Sequence, residues 1–210
     1  MHSRMRFILN LLPLLQKADS LRRVVSVLVA TYEGPIDTNN IVGEGFPLTK
    51  WRDQVASVET LLLEEAARRA PEVSFIHTAP GIVKSGIMRD AKGFGNSILI
   101  TMSNLLGPLI QTPPDESGKR NIFLATSAMY APNQGSDAVV GVPLGGKLVV
   151  ARGSNGRIGS GMYTVDNKGE SSSLKVEKLL AGFRENGTAD KVWDYIAADF
   201  KKITGTEVGQ

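Results

Sequence analysis

The first apolar block, from about Ser3 to Lys17, sets Phe7, Ile8, Leu9, Leu11, Leu12, Leu14 and Leu15 among Arg4, Arg6, Asn10 and Gln16. That pattern predicts an amphipathic helix packed on a sheet. Its start imitates a signal peptide, with two arginines ahead of an apolar run. Asn10 and Pro13 break the run and Gln16-Lys17-Ala18-Asp19-Ser20 is a poor cleavage site, so the segment reads as structure and the chain as cytoplasmic. Leu21 to Ala30 follows, nearly unbroken and rich in β-branched residues, as suits a strand buried on both faces of a parallel sheet. From Thr31 to Lys50 the chain turns polar, with Gly34, Pro35, Gly43, Gly45 and Pro47, and predicts a long loop of the kind that is commonly functional. Val55, Val58, Leu62 and Glu65 mark one face of a helix from about Trp51 to Arg69, which must stop before Pro71. Val73 to His77 is the next strand. Strand, crossover helix and strand make a βαβ unit, so the strands near 24–29 and 73–77 should be parallel and adjacent.

Further on, Asn96 to Leu106 predicts a helix ending at Gly107-Pro108. Another should start near Pro114, where proline suits a first turn and Asp115 and Glu116 suit the helix dipole, and run until Pro132. Lys147 to Ala151 and Gly161 to Val165 read as short strands around a glycine-rich hairpin turn. Two amphipathic helices close the chain, one with Val176, Leu179, Leu180 and Phe183, the other with Val192, Trp193, Ile196 and Phe200. The result is one α/β unit over 1–210: a sheet core over 1–90, then a helical and hairpin region over 91–210.

Composition removes several function classes. A chain of 210 residues can bury a sizeable core. Its net charge of +3 is small and its basic residues are scattered without interleaved aromatics, so nucleic acid is not an expected partner. With no cysteine, thiol catalysis and thiolate metal sites are excluded. His2 and His77 alone cannot form a His-rich metal site, and no apolar run approaches the ~20 residues of a membrane span.

Most chemical-looking motifs fail on context. Gly141 to Leu148 nearly spells a phosphate-binding loop, but Leu148 stands where a magnesium-holding Ser or Thr is needed. Gly153 to Gly161 lacks a strand-turn-helix setting. Asn186-Gly187-Thr188 is a glycosylation sequon that matters only in a secreted chain. His77 reads as a core or rim histidine, and Glu64-Glu65 as a solvated pair. The segment from Ser74 to Ser85 is different. A strand runs into Pro80-Gly81, and ligands of parallel α/β sheets sit just beyond the carboxyl ends of the strands. Such a turn lets the main chain approach a flat ring, with Ser85 able to make one orienting hydrogen bond; the plainer alternative is an ordinary strand-ending turn.

Arg22 to Val27, the Leu61-Leu62-Leu63-Glu64-Glu65 helix and the Pro80-Gly81-Ile82-Val83-Lys84-Ser85 turn together resemble the short-chain dehydrogenase/reductase superfamily. Ser3 to Ile8, Glu33-Gly34-Pro35-Ile36 and Ser160 to Asp166 resemble a fungal branch whose members often occur in secondary-metabolite pathways. The resemblance covers the whole chain but only the back part of the family's length. It implies a partial Rossmann-like parallel sheet lacking the N-terminal cofactor-binding strands. It also implies NADP or NAD as cofactor and a carbonyl of a small hydrophobic metabolite as substrate. Pro80, Gly81, Val83 and Ser85 would lie on the nicotinamide side. The family's serine falls near Val29 or Ala30, and its tyrosine and lysine, four residues apart, become Phe46 and Lys50. Lys50 is therefore the candidate catalytic residue, in the usual role of orienting the ribose and lowering the pKa of a neighbouring donor. Tyr32 is a nearby phenol with no lysine four residues after it.

In the family, the glycine-rich turn that binds the cofactor diphosphate lies well upstream of the position matched by Val24. The resemblance thus implies weak dinucleotide binding by this chain alone. It also makes strand 24–29 an edge with unpaired backbone groups, open to self-association with a second copy. Three readings stay open at this level: a reductase with unconventional residues, a non-redox isomerase, cyclase or binding protein on the same scaffold, and an inactive truncated product or a half that functions only beside another chain.

Overall fold

The computed structural model describes residues 2–83, 111–135 and 141–205. Ser85 and the helix expected over 96–106 lie outside the described residues. Among the described residues the order is α1 (His2–Lys17), β1 (Arg23–Val27), α2 (Leu48–Arg69), β2 (Ser74–Thr78), α3 (Pro114–Thr126), a 3-10 turn (Ala128–Tyr130), β3 (Met162–Val165), α4 (Leu174–Glu185) and α5 (Thr188–Thr204).

The three strands form one parallel sheet in the order β1-β2-β3. The central strand β2 is buried along its whole length. Alternation of side chains divides each strand between two faces. One face carries two rungs across the sheet, Val24–Phe75–Met162 and Ser26–His77–Thr164. The apolar rung packs under Val58 and Leu62 of α2, in a core shared with α1, α4 and α5. On the other face Val25, Ile76, Tyr163 and Val165 gather with Leu124 of α3 and Tyr130. Helices on both faces of a parallel sheet make this a partial Rossmann-like α/β fold, as expected.

Local sequence explains the elements that hold the sheet. Met5, Ile8, Leu9 and Leu12 bury one stripe of α1 at helical spacing. Arg23 points under α3, where its guanidinium donates to the carbonyls of Leu124, Ser127 and Tyr130 at 2.8–3.1 Å and satisfies the end of that helix. At the outer side of β1, Arg4 of α1 donates to the Val27 carbonyl at 2.6 Å. The edge is thus covered at one acceptor.

Two expectations are corrected. Lys147 to Ala151 is not a strand, and the segment around Gly153–Gly161 is not a hairpin between strands; only an antiparallel bridge from Arg152 to Ile158 remains. β3 pairs in parallel with β2 instead, and all four of its residues are buried. Burial on both faces is what a parallel strand between helical layers requires, whereas a hairpin would leave one face wet. Nor are Glu64 and Glu65 a solvated pair. Arg184 of α4 reaches both Glu64 oxygens at 2.9 and 3.0 Å, and Glu65 binds Arg68 and Arg69.

Among the described residues no helix is long and apolar enough to cross a membrane, and no cluster of three His, Asp or Glu could hold a metal ion.

Candidate functional site

The carboxyl ends of the three strands form a crest, and two segments rising from it carry the chemistry. The first follows β2. The Ala79 amide donates to the Val165 carbonyl, so the chain climbs beside β3 before turning at Pro80-Gly81. Gly81 has φ +70°, and a Cβ there would stand 2.8 Å from the Asn167 amide nitrogen. Only glycine suits both the dihedral and the space.

Between this turn, α3 and the loop after β3 lies a cavity of about 200 Å³. Ala79, Pro80, Phe123 and Leu124 give it an apolar floor, while Ser117, Asn121, Asn167, Lys119, Arg120 and Lys168 bring polar and cationic groups to it. The far wall is rigid. Asp166 accepts from the Lys168 and Glu170 amides, Tyr130 donates its hydroxyl to the Gly169 carbonyl, and Arg120 donates to the Asn167 carbonyl. Burial pushes the Tyr130 and Tyr163 phenols up to about 12, and both serve as structural donors, Tyr163 to the Ala131 carbonyl.

The second segment follows β1. Its last pairing with β2 is the Leu28 amide on the Thr78 carbonyl, and three residues later the Thr31 amide donates to Thr164 Oγ1 on β3. The chain therefore crosses the end of β2. Thr31 makes that crossing at φ +69°, a left-handed conformation that costs a β-branched residue strain. Next comes Glu33, whose fully buried Oε1 accepts from the hydroxyls of Thr60 on α2 and Thr164 on β3. Thr60 Oγ1 also lies 2.9 Å from His77 Nδ1. Since the threonine proton goes to Glu33, the imidazole donates from Nδ1, which leaves Nε2 as an acceptor without a partner.

Burial dominates the electrostatics here. It pushes the His77 pKa down to about 3, helped by the charge of Arg4, so the ring is neutral. Burial likewise raises the carboxyl of Glu33 against its hydroxyl hydrogen bonds, and that of Glu59, which accepts from Ser26.

Beyond Glu33 the loop is fastened along α2. Ser57 exchanges hydrogen bonds with both backbone groups of Gly34, and Gln54 reaches the Asp37 amide and the carbonyls of Asn40 and Ile41. Two aromatic rings of this loop meet cations from the first turns of α2. The Lys50 ammonium sits 3.6 Å from the Phe46 ring centroid, and the Arg52 guanidinium 4.3 Å from that of Tyr32.

Of the residues singled out by sequence, Pro80 lines the cavity and Gly81 shapes its turn. Val83 stands further along, bridged to Thr112. Lys50 is on the first turn of α2, with Phe46, and is not part of the cavity lining. Glu33, Thr60, Thr164 and the Tyr32–Arg52 pair were missed. Their one sequence signal is polarity at the last inward positions of otherwise apolar strands, Ser26, His77 and Thr164. A larger cavity, about 540 Å³, opens at the opposite end of β3 around the Glu64–Arg184 pair. The smaller one occupies the crest, where ligands of open α/β sheets bind.

No family model and no solved structure matches the chain. Curated proteins do. Oxidoreductase andH of Emericella variicolor is 32% identical over 98% of this chain and 60% of its own length. NmrA-like family domain-containing oxidoreductase notO of an Aspergillus species is 35% identical over 95% of this chain and 54% of its own. Short-chain dehydrogenase/reductase SAT2 of Stachybotrys chartarum is 28% identical over 92% of this chain and 54% of its own. The chain thus spans between 54% and 60% of the length of these relatives.

Proposed function

We propose that this chain, which matches part of the fungal short-chain dehydrogenase/reductase family, forms the substrate and nicotinamide-ring side of an oxidoreductase site. Its substrate would be a carbonyl in a small hydrophobic metabolite. The observation that carries the reading is the crest cavity. A space of about 200 Å³ suits one ring rather than a whole dinucleotide. Its apolar floor suits a flat ring, and its cationic groups suit a phosphate.

A nicotinamide dinucleotide, NADP or NAD, would supply the hydride when bound. Pro80 and Asn167 would hold its ring end, with Arg120 and Lys168 toward its phosphates. The close approach of Gly81 to Asn167 packs the turn against the loop after β3, so the two cavity walls are held together. Among the described residues no short glycine-rich turn leads from a strand into a helix, so these residues fit the ring end and not a diphosphate cradle. The apolar floor also limits water beside the reacting carbonyl, which strengthens every polar contact made there.

Calorimetric titration with nicotinamide mononucleotide and with NADPH tests the reading. Both are expected to bind weakly and alike, in the ~1 mM range that a ring-end grip gives. Silence from both ligands, or micromolar NADPH binding with a silent mononucleotide, would overturn it.

A further inference from the structure

We propose that the cavity of about 540 Å³ at the opposite end of β3 is a second binding site, and that its ligand is a neutral, polyhydroxylated ring of the sugar type. The site stands apart from the reductase reading, since no residue lining it also lines the crest cavity. Its volume falls within the roughly 300–1,000 Å³ of small-molecule sites.

One wall is the glycine-rich segment 153–161, which the crest does not use. Backbone hydrogen bonds hold it in shape. The Gly153 amide donates to the Arg157 carbonyl, the Ser154 amide to the Met162 carbonyl on β3, and the Gly161 carbonyl accepts from Phe75 on β2. Gly161 has φ +81°, and a Cβ there would stand 2.8 Å from the Asn133 backbone nitrogen, so glycine lets the loop close on Asn133. A wall ordered in advance loses little freedom when a ligand arrives.

Charge selects the ligand class. The two largely buried carboxylates of the lining are already matched: Glu64 accepts from Arg184 at 2.9 and 3.0 Å, and Glu65 from Arg68 at 2.7 Å. A charged ligand would lose hydration there and find no unmatched counter-charge. Asp190 and Asp194, exposed one turn apart on α5, add repulsion against anions.

What the lining does offer is hydrogen bonding beside apolar surface. Arg184 uses only Nη1 on Glu64, and among the described residues its Nη2 and Nε keep their donors. Asn155 accepts the Arg157 amide through Oδ1, which leaves its Nδ2 to donate. Asn133 can donate and accept. Hydroxyls do both, so they suit this mixed set. Beside it stand Leu61, Met162 and Trp193, the indole held by the Arg69 guanidinium 4.1 Å from its ring centroid. A ring with C–H faces and a hydroxylated edge matches both kinds of surface.

The test uses the full chain. Its two tryptophans are Trp51 and Trp193, so Trp51→Phe leaves Trp193 as the one indole reporter. Methyl β-glucoside should change its fluorescence saturably, with half-saturation at ~1–10 mM, as a few hydroxyl contacts give. Methyl β-glucuronide, the same ring with a carboxylate, and spermidine should each bind ~10-fold more weakly or worse. Trp193→Phe, which keeps Trp51, should show no saturable change. Arg184→Lys keeps a cation for Glu64 but loses the guanidinium fork, and Asn155→Ala removes one amide from an exposed loop. Each should raise the half-saturating concentration ~5-fold or more at an unchanged melting temperature. No saturable change with the glucoside, tighter binding of the glucuronide or spermidine, equal responses from both tryptophans, or undiminished binding in Asn155→Ala would overturn the proposal.

Discussion

Two rungs of the same sheet face, two residues apart along each strand, do opposite work. Val24, Phe75 and Met162 form the lower one and sit in the main hydrophobic core. Ser26, His77 and Thr164 form the upper one, and each makes a side-chain hydrogen bond to a residue of the β1–α2 loop or of α2. The lower rung gains stability from burial alone. The upper rung gives that gain up, and Glu33 Oε2, Glu59 Oε2 and His77 Nε2 are left buried without partners. Unpaired buried polar atoms cost stability. What they secure is a loop fixed to α2 and β3 beside the crest.

The largest expected effect lies in the lower rung. Phe75→Ala should cost about 3–5 kcal/mol, read from denaturant unfolding, because the ring is fully buried between β1 and β3. A cost near zero would mean that the lower rung is not the core.

The upper rung should instead show itself through pH. The unfolded His77 binds a proton near its ordinary 6.5, but the folded ring does not until about 3. Its contribution is therefore complete above pH 6.5 and falls by about 1.4 kcal/mol per unit as pH drops toward 3. Glu33 and Glu59, with raised values, act in reverse: their contribution is complete below the ordinary 4.5 and is lost as pH rises through the folded value. Unfolding free energies of His77→Gln should lack most of the acid slope, and those of Glu33→Gln part of the decline above 4.5. Parallel wild-type and variant curves would count against a neutral buried histidine.

Gly81→Ala tests the crest rather than the rungs. The positive φ and the Asn167 contact should cost about 1–3 kcal/mol locally and remove nicotinamide mononucleotide binding. Retained binding would place the ring elsewhere.

The smallest effect concerns the edge of β1. It should pair weakly with a second copy and more readily in Arg4→Ala, which uncovers the Val27 carbonyl. Sedimentation showing a monomer in both would oppose that.

Sequence made the sheet core legible because periodicity reports burial directly. The β-branched run at 24–29 and the crossover helix led to the parallel β1–β2 pair, and Pro80-Gly81 marked the crest. The rest depends on contacts between distant residues. Glu33 is one polar residue among many in its loop until Thr60 and Thr164 close on it. Tyr32 seemed to lack a cation because the spacing sought was four residues, whereas Arg52 comes from another element. β3 read as half a hairpin because glycine turns precede it, and only its two-sided burial shows the parallel partner.

The most direct measurement is NADPH oxidation by the full chain with acetophenone, at dinucleotide concentrations high enough to offset weak binding. The expected result is turnover above buffer in the wild type, lost in Gly81→Ala, with both proteins folded by circular dichroism. No turnover in the folded wild type, or equal turnover in the two, would contradict a carbonyl-reducing site at the crest.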